Sequence, residues 1–306
     1  MAVTTHATME ADLRAASVLS QEIQLLLADR SSLRNTGALT NHGLINGQGS
    51  DTILIRQAGL DGYDVFDATV ADGADRSTPD SITDSSISLA VARYSLRRDL
   101  SDMAELTGMG SNDINPARLA LSMVQEAEQA FMGLVASTVA GFATDKGDSG
   151  ADLTVDHWFD GIRFLQAGAN NGPFYALLHP TQLSDLQGSI RSEAGALQFL
   201  SATQDMISAK GQGYAGTFAG VDVYTSARVT TAGEDVHGGM WAAGCLTYAE
   251  AAPVMSYGDV VRPGTSPLVV EFQRDASMGL TEVVGSYYVG MAITEAARGC
   301  GIVSDK

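Results

Sequence analysis

A glycine pattern typical of phosphate-binding loops lies in the second half of the chain. Gly211, Gly213 and Gly216 have the G-x-G-x-x-G spacing of a dinucleotide-binding loop. In that fingerprint a strand precedes the glycines and a helix follows them, so that the helix N-terminus faces the pyrophosphate. Here a helix-like segment precedes the glycines, and a strand-like run, residues 221–226, follows them. Because the order is reversed, the pattern predicts a flexible loop and no nucleotide site.

A second string, Gly147-Asp148-Ser149-Gly150, resembles the sequence around the nucleophilic serine of trypsin-like proteases. A nucleophilic serine needs a histidine base and an acid that orients the histidine. Ala151-Asp152 stands where those proteases have Gly-Pro, and none of the five histidines lies in their Ala-Ala-His-Cys string. We interpret the glycine- and aspartate-rich residues 144–152 as a hinge between two segments.

The residue types that bind metal ions do not have the spacing of a known metal site. Two groups of aspartates could offer oxygen ligands to Ca²⁺: Asp72, Asp75 and Asp80, and Asp145, Asp148 and Asp152. Neither group has the spacing of a calcium loop with its distal glutamate. No two histidines are four residues apart, and none is close to a cysteine. The sequence therefore predicts no catalytic, cofactor-binding or metal-ligating residue.

The cysteines and the N-terminus favour a reducing, cytosolic compartment. Cys245 and Cys300 lie in runs of apolar and small residues, without the spacing of a metal site or a disulfide framework, so we expect two buried, reduced thiols. The N-terminus lacks a basic segment followed by an apolar run, and we expect no signal peptide. The longest apolar stretch, residues 131–143, is shorter than the roughly 20 residues that span a bilayer.

The charge balance is strongly acidic, with 36 acidic and 18 basic residues and a net charge of -18. This balance argues against direct wrapping of nucleic acid, because proteins of that kind place Lys and Arg on the phosphates. Charged residues make up only 18% of the chain, below the roughly 25% of an average domain. Such a surface is typical of a protein that lies against partner subunits, and the acidity is also consistent with solubility alone.

The first 99 residues predict extended elements. Apolar residues recur every three or four positions in the first segment, which predicts an amphipathic helix: Met9, Leu13, Ala16, Leu19, Ile23 and Leu26. Residues 31–51 are polar and rich in glycine and asparagine, and we interpret them as an extended arm. Strand-like runs at 52–56 and 86–96 flank an acidic stretch, 71–86, which predicts a protruding hairpin. We expect this hairpin to contribute little to the folding of the subunit and much to its contacts.

A long helix follows over residues 116–142, about 40 Å at 1.5 Å per residue. Asn115 can cap it, and Pro116 suits its first position. Apolar or small residues line one predicted face: Ala120, Val124, Ala127, Phe131, Leu134 and Thr138. Polar residues mark the predicted solvent face: Gln125, Glu126, Glu128 and Gln129.

The remaining sequence mixes short helices and strands. Helices are predicted over residues 155–167, 181–190 and 195–208, and residues 210–220 are predicted to be a glycine-rich loop. Strands are predicted over residues 174–178, 221–226, 239–247, 267–274 and 281–294. With 306 residues, the pattern predicts an α+β chain of one large domain or two smaller ones.

This order of elements resembles the major capsid proteins of tailed bacteriophages, which share the Hong Kong ninety-seven-type capsid fold. Four features carry the resemblance. An arm precedes a two-stranded loop that ends at residues 95–102, and the helix over 116–142 is similar to that family's spine helix. The strand-His179-Pro180-Thr181-helix passage and the strand at 221–226 are similar to its axial domain. The strands at 267–294 are similar to the return into its peripheral domain.

The resemblance implies a division of the chain into four parts. Residues 1–50 would form an N-terminal helix and arm, and residues 51–99 an extended loop. Residues 100–150 and 256–306 would form a peripheral domain with the spine helix, and residues 151–255 an axial domain.

The resemblance also implies a structural function, with no enzymatic activity and no cofactor. Members of the family self-assemble into hexamers and pentamers that form an icosahedral phage head around double-stranded DNA. The implied partners are further copies of the chain, with scaffold, portal and decoration proteins left open. The DNA would be enclosed without sequence-specific binding, no membrane would be bound, and the virion would be assembled in the host cytoplasm.

Two alternatives remain open at this point. An encapsulin-type nanocompartment has the same fold and encloses a cargo enzyme. An acidic α/β hydrolase belongs to another class, and it would require a pocket of convergent titratable groups for which the sequence supplies no motif.

A first prediction concerns covalent cross-links. Some members of the family join their subunits by Lys–Asn bonds, but none of the three lysines (Lys146, Lys210 and Lys306) lies in the loop, residues 51–99. We therefore expect no cross-link through this loop. Denaturing gels of boiled assemblies should show a band near 31.9 kDa or slightly smaller. Covalent rings that do not map to those three lysines would contradict the prediction.

Overall fold

The computed structural model describes ten segments of the chain: residues 33–34, 36–45, 51–58, 84–103, 116–168, 172–192, 198–211, 213–251, 260–261 and 267–306. The amphipathic helix predicted in the first segment and the acidic part of the loop lie outside the described residues. Among the helices that are described, none is long and apolar enough to cross a membrane.

The N-terminal part contributes four strands: β1 (Thr40–Ile45), β2 (Thr52–Ala58), β3 (Asp84–Ala90) and β4 (Ala92–Ser101). β2 and β3 pair antiparallel from Thr52 opposite Ala90 to Ala58 opposite Asp84, which confirms the predicted pairing of two strands. The single strand predicted over 86–96 is wrong, because β4 leaves the hairpin after Val91 and joins another sheet.

The first sheet has six strands. Its later members are β12 (Leu246–Ala251), β13 (Val260–Val261), β14 (Leu268–Asp275) and β15 (Leu280–Ile293), and β1 pairs parallel with β12. In β15, Val289 pairs with both Ala92 of β4 and Glu250 of β12, so these two strands lie on opposite edges of β15. β14 also lies opposite β4, because Gly285 pairs with both Leu96 and Val270.

The second sheet has eight strands. They are β5 (Asp145–Lys146), β6 (Phe174–Leu178), β7 (Leu200–Ser201), β8 (Tyr214–Phe218), β9 (Val221–Thr225), β10 (Thr230–Ala232), β11 (Asp235–Ala242) and β16 (Gly299–Asp305). Their order is β5-β16-β11-β6-β9-β8-β7, with β10 paired to β11. Both faces of β6 are buried in separate cores, with Tyr175 and Leu177 in one and Phe174, Ala176 and Leu178 in the other. A strand covered on both faces has the continuous apolar sequence seen here.

The helices cover the two faces of this sheet. Helix α1 (Pro116–Val139) belongs to the core that contains Tyr175, and α2 (Val155–Ala167) belongs to the core that contains Phe174. Helices α3 (Pro180–Ser192) and α4 (Gln204–Lys210) follow. The predicted end of the long helix at residue 142 is three residues late. Glu128, predicted on the solvent face, is buried.

Three predictions in the second half are wrong in detail. The helix predicted over 195–208 begins at Gln204, where Thr203 caps it, after the short strand β7. The loop predicted over 210–220 contains β8, which forms a hairpin with β9. The strand predicted over 239–247 is two strands, because a turn at Gly244, with φ of +85°, directs the chain from the second sheet into the first.

The division of the chain into axial and peripheral domains stays a prediction. Two strands lie in a different sheet from the one that this division would give them. β16 comes from the segment 256–306, assigned to the peripheral domain, and lies in the same sheet as β6. β12 comes from the segment 151–255, assigned to the axial domain, and lies in the same sheet as β15. The chain therefore crosses between the sheets more often than the predicted boundaries imply.

Both cysteines are buried free thiols, as the sequence predicts. Burial raises the pKa of Cys245 to about 12, and nearby Glu295 adds to this effect. Burial also raises the pKa of Cys300 to about 12. Because the thiolate is the reactive form, burial of this kind disfavours reaction at either thiol.

Glycines let α1 and the residues after it approach the second sheet closely. A Cβ atom on Gly239 of β11 would overlap Val139 Cγ1 and would lie 3.0 Å from the backbone oxygen of Cys300. A Cβ atom on Gly299 of β16 would overlap the ring of Phe142. The end of α1 therefore reaches β11 and β16 only where those strands have no side chain.

This close packing gives a second prediction. We expect Gly239→Ala to lower the free energy of unfolding by about 1–3 kcal/mol, because the added methyl group overpacks the core. The control is Gly188→Ala in α3, where a Cβ atom would meet nothing within 4 Å. That variant should be neutral or slightly stabilising, because alanine favours a helix. Denaturant unfolding measures both, and equal stability of the two variants would contradict the packing argument.

Candidate functional site

The glycine pattern at residues 211–216 serves strand packing. Gly211 ends α4 with φ of +88°, and Gly213 and Gly216 also have positive φ. A Cβ atom on Gly216 would overlap the backbone oxygen of Leu200, so the glycine allows β7 to pair with β8. The order of helix, glycines and strand agrees with the prediction that this segment does not form a dinucleotide loop.

The serine of the protease-like string is bound to a carboxylate. The Ser149 hydroxyl and the Gly150 N–H both donate to Asp235, the second at 2.9 Å. These two hydrogen bonds hold the pKa of Asp235 below its usual value. His157, the nearest histidine in sequence, lies with its Nε2 3.7 Å from Asp148. The arrangement fixes the turn at 147–150 to the start of β11 and does not activate Ser149 as a nucleophile.

The acidic groups named from the sequence are not brought together as a metal site in the part of the chain that the structure describes. No three His, Cys, Asp or Glu side chains there are placed to hold a metal ion. Asp145 lies in β5, beside β16, and Asp72, Asp75 and Asp80 lie outside the described residues.

The β2–β3 hairpin and strand β4 offer contact surfaces, in contrast to the catalytic and metal sites considered above. The base of the β2–β3 hairpin is covered by its own subunit, where Ile53, Ile55 and Leu89 pack with Ala249 and Ala251 of β12. The expectation that the loop contributes little to folding therefore does not apply to its base. The base is a part of the subunit core.

The hairpin also approaches β15 closely. A Cβ atom on Gly290 would overlap the backbone oxygen of Ala90, so the glycine is what permits this contact. On the opposite face of the hairpin, Leu54 is 64% exposed. One face is thus bound to the subunit, and the other exposes an apolar side chain.

Strand β4 forms a long and mostly exposed edge. Within the described residues it pairs with β15 alone, so its other edge leaves backbone N–H and C=O groups available. Such an edge is a template for a further strand. Three arginines lie on β4, and each contacts residues of its own subunit: Arg93 to Ser286, Arg97 to Asp99 and Glu282, and Arg98 to Ser122 and Glu126.

An apolar groove of about 260 Å³ lies between β4 and α1. Its lining is mainly apolar and includes Tyr94, Leu96, Met123, Ala127, Leu268 and Tyr287. The groove carries no cluster of titratable groups, and it has the character of a surface that receives an apolar side chain. It does not resemble the convergent polar pocket that a hydrolase requires.

The end of the first sheet presents two exposed methionines, Met103 and Met278. They lie close together, because the Asp102 N–H donates to the Gly279 oxygen at 3.0 Å. Arg274 forms a two-pronged ion pair with Asp102 and braces this end. Methionine adapts its shape to a partner, which suits a contact surface.

The sequence reasoning missed the role of β4, although one signal was available. Tyr94, Leu96 and Leu100 are apolar and stand at alternate positions, with Arg98 as the one polar residue in that row. This alternation continues past the predicted end of the strand at residue 96. Sequence reasoning also missed β16, whose glycines weaken the strand signal.

Comparison with known proteins agrees with this geometry. The model of a family described as phage capsid protein matches residues 86–302, more than two thirds of the chain. No protein among those of curated function matches the sequence significantly.

Solved structures share the fold at low sequence identity. The capsid of a native GTA particle has a TM-score of 0.59 and 12% identity, and the match covers 90% of this chain and 93% of that chain. An encapsulin complex, holo-SrpI from Synechococcus elongatus PCC 7942, has a TM-score of 0.58 and 14% identity, with 88% and 85% covered. The match to Mycobacterium phage Che8 has a TM-score of 0.56 and 14% identity, and it covers 81% of this chain and 84% of that chain.

These matches coincide with the two-sheet architecture, the long helix α1 and the extended hairpin described above. Identities of this size show the fold alone, whereas the family model matches most of the chain. The chain therefore belongs to the phage capsid protein family, and it is a structural protein of the phage head with the Hong Kong ninety-seven-type fold.

Proposed function

We propose that this protein is the major capsid protein of a tailed bacteriophage and assembles into hexamers and pentamers that form an icosahedral head around double-stranded DNA. The family match over residues 86–302 supports this most directly, because it includes β4, α1 and most strands of both sheets. Negative-stain images of the purified protein test the proposal. Closed shells are the expected result, and a protein that stays monomeric at every concentration and salt condition would overturn it.

The exposed features of the subunit support assembly through several separate contacts. Within the described residues, three of these features lie on the first sheet or at its end: the unpaired edge of β4, the groove between β4 and α1, and the methionines at residues 103 and 278. The outer face of the hairpin belongs to a separate two-stranded sheet. Each is small, and a small contact is reversible. Many such contacts made together hold a closed shell, while a subunit that binds in the wrong place can still dissociate.

The loop between β2 and β3 is proposed to contact a neighbouring subunit. Its sequence is acidic, with Asp72, Asp75, Asp80 and Asp84, whereas β4 carries Arg93, Arg97 and Arg98 within six residues. Arg97 is half exposed and can take a further acidic partner. Charge complementarity therefore favours the acidic loop of one subunit against β4 of the next.

The net charge of -18 bears on the contents of the shell. A protein that bound DNA tightly would neutralise phosphates with Lys and Arg, and this chain has half as many basic as acidic residues. We propose that the shell encloses DNA without binding particular sequences. Assembly in the host cytoplasm is consistent with the two free thiols. Scaffold, portal and decoration proteins are further proposed partners.

A second candidate function is an encapsulin-type shell around a cargo enzyme. The observation that favours it is the fold similarity to the SrpI encapsulin, which is as high as that to the phage capsids. The contents of purified shells separate the two functions. Nuclease-protected DNA indicates a phage head, and a co-purifying enzyme without DNA indicates a nanocompartment.

A third prediction concerns the loop in assembly. Replacing residues 59–83 by a short Gly/Ser turn keeps both paired strands, because Ala58 already lies opposite Asp84. We expect a folded subunit with a near-normal circular dichroism spectrum that no longer forms closed shells. Ordering a loop against a neighbour costs roughly 1–2 kcal/mol of conformational entropy per backbone residue. The contacts of the native loop therefore have to supply at least this free energy.

The control for this variant keeps the loop length and removes charge. Asp72, Asp75 and Asp80 are replaced together by asparagine, and the resulting shells should still close but depend less on salt. Sedimentation and negative-stain imaging measure both variants. Normal shells from the shortened protein would show that the loop is not the contact proposed here, and failure of that protein to fold would assign the loop to the core.

A further inference from the structure

Residues 33–34 and 36–39, which we call the arm root, pack against the subunit, and among them Gly37 is exposed. Leu33, Ala38 and Leu39 are buried in the core that also contains α1 and residues of both sheets. The sequence predicted an extended polar arm over this region. The apolar residues of the arm root instead complete the core where the two sheets meet.

Two aromatic side chains of the second sheet bind the backbone of the arm root. The Trp241 indole N–H donates to the Ala38 oxygen at 2.9 Å. The Tyr175 hydroxyl donates to the Thr36 oxygen at 3.0 Å. Both donors are buried, so each would lose its partner if the arm root left.

Arg34 binds the arm root to α1 and the first sheet. Its guanidinium nitrogens lie 3.2 Å from Glu250 of β12 and 3.6 Å from Glu128 of α1. Arg34 also donates to the Tyr287 hydroxyl of β15, which in turn donates to Glu250 at 3.1 Å. The guanidinium carbon lies 4.2 Å from the centre of the Phe131 ring. Three elements of the subunit thus meet at this one side chain.

The charges of this group are almost out of contact with water. The side chains of Arg34, Glu128 and Glu250 are only 11%, 10% and 12% exposed. Burial by itself lowers the pKa of the Arg34 guanidinium, but Tyr287, Glu128 and Glu250 together raise it above its usual value. One cation therefore compensates two carboxylates, and removal of the cation would leave both in an environment of low polarity.

We propose that Arg34 is the positioning residue of the N-terminal arm. It holds the arm root against α1 and the first sheet, while Trp241 and Tyr175 hold it against the second sheet. The arm root therefore joins the two sheets and fixes the position at which the chain enters β1, at Thr40. The use of that fixed point in contacts between subunits rests on the proposed capsid function, whereas the anchoring itself does not.

The Arg34 guanidinium faces charged and titratable groups from three elements, namely Glu128 of α1, Tyr248 and Glu250 of β12, and Tyr287 of β15. Burial raises the pKa of Tyr287 well above its usual value, which outweighs the effect of Arg34, so this hydroxyl stays neutral. The two glutamates are therefore the anions that Arg34 compensates.

Hydrogen exchange and thermal unfolding of the subunit test the proposal. In Arg34→Met, amide exchange over residues 38–45 should rise on the order of tenfold, while residues 174–178 stay protected. The melting temperature of Arg34→Met should fall, because two buried carboxylates lose their cation. The triple variant Arg34→Met, Glu128→Gln, Glu250→Gln should recover a part of this loss, because it leaves no uncompensated charge at the site.

Arg34→Lys is the second variant, for the case in which Arg34→Met does not fold. Lysine keeps the charge but lacks the planar fork that reaches both carboxylates, so it should give intermediate exchange at the arm root. A triple variant that recovers none of the melting temperature lost in Arg34→Met, or wild-type exchange at the arm root in either single variant, would overturn the proposal. Because all readouts come from the subunit, they are independent of whether it forms a phage head.

Discussion

Backbone pairing along β15 is the constraint on which the position of the other extended elements depends. One edge of this strand pairs with β4 over residues 280–289. The other edge pairs first with β14 and then with β12, which carries β1 in turn. The hairpin base packs on the same region through Gly290. A strand of fourteen residues thus sets where the loop starts, where the arm passes and which edge stays open.

The two sheets share one apolar core with α1 and the arm root, and some close contacts around it rely on either a missing side chain or an arginine. Gly239 and Gly299 let α1 approach the second sheet, and Arg34 binds α1 and the first sheet to the arm root. Arginine suits such places because its planar fork reaches two acceptors at once and it stays charged when buried. The chain has fifteen arginines, its 18 basic residues less three lysines, so this preference extends over the whole sequence.

Local signals made some elements predictable from the sequence. The helix at 155–167 and the strand at 174–178 have the predicted bounds, because Thr154 caps the helix and β6 is a short, uniformly apolar run. The arm root was not predictable, since Arg34 meets Glu128 and Glu250 from positions far apart in the chain. Glu128 was therefore assigned to solvent. The candidate surfaces share this difficulty, because the groove and the open edge of β4 exist only after β15 has paired.

Within the described residues, one edge of the ten-residue strand β4 has no partner strand. Such an edge is a hazard for a protein that has to assemble in one way only, because it can pair with any strand. On β4 the arginines at 93, 97 and 98 lie along that edge, in a subunit with a net charge of -18. Acidic surfaces of two subunits repel each other at long range, whereas an acidic segment brought to the arginines is attracted. In the proposed shell the contact is therefore favoured where an acidic loop meets β4 and disfavoured elsewhere. Charge placement, more than buried area, would then decide which of the possible edge contacts forms.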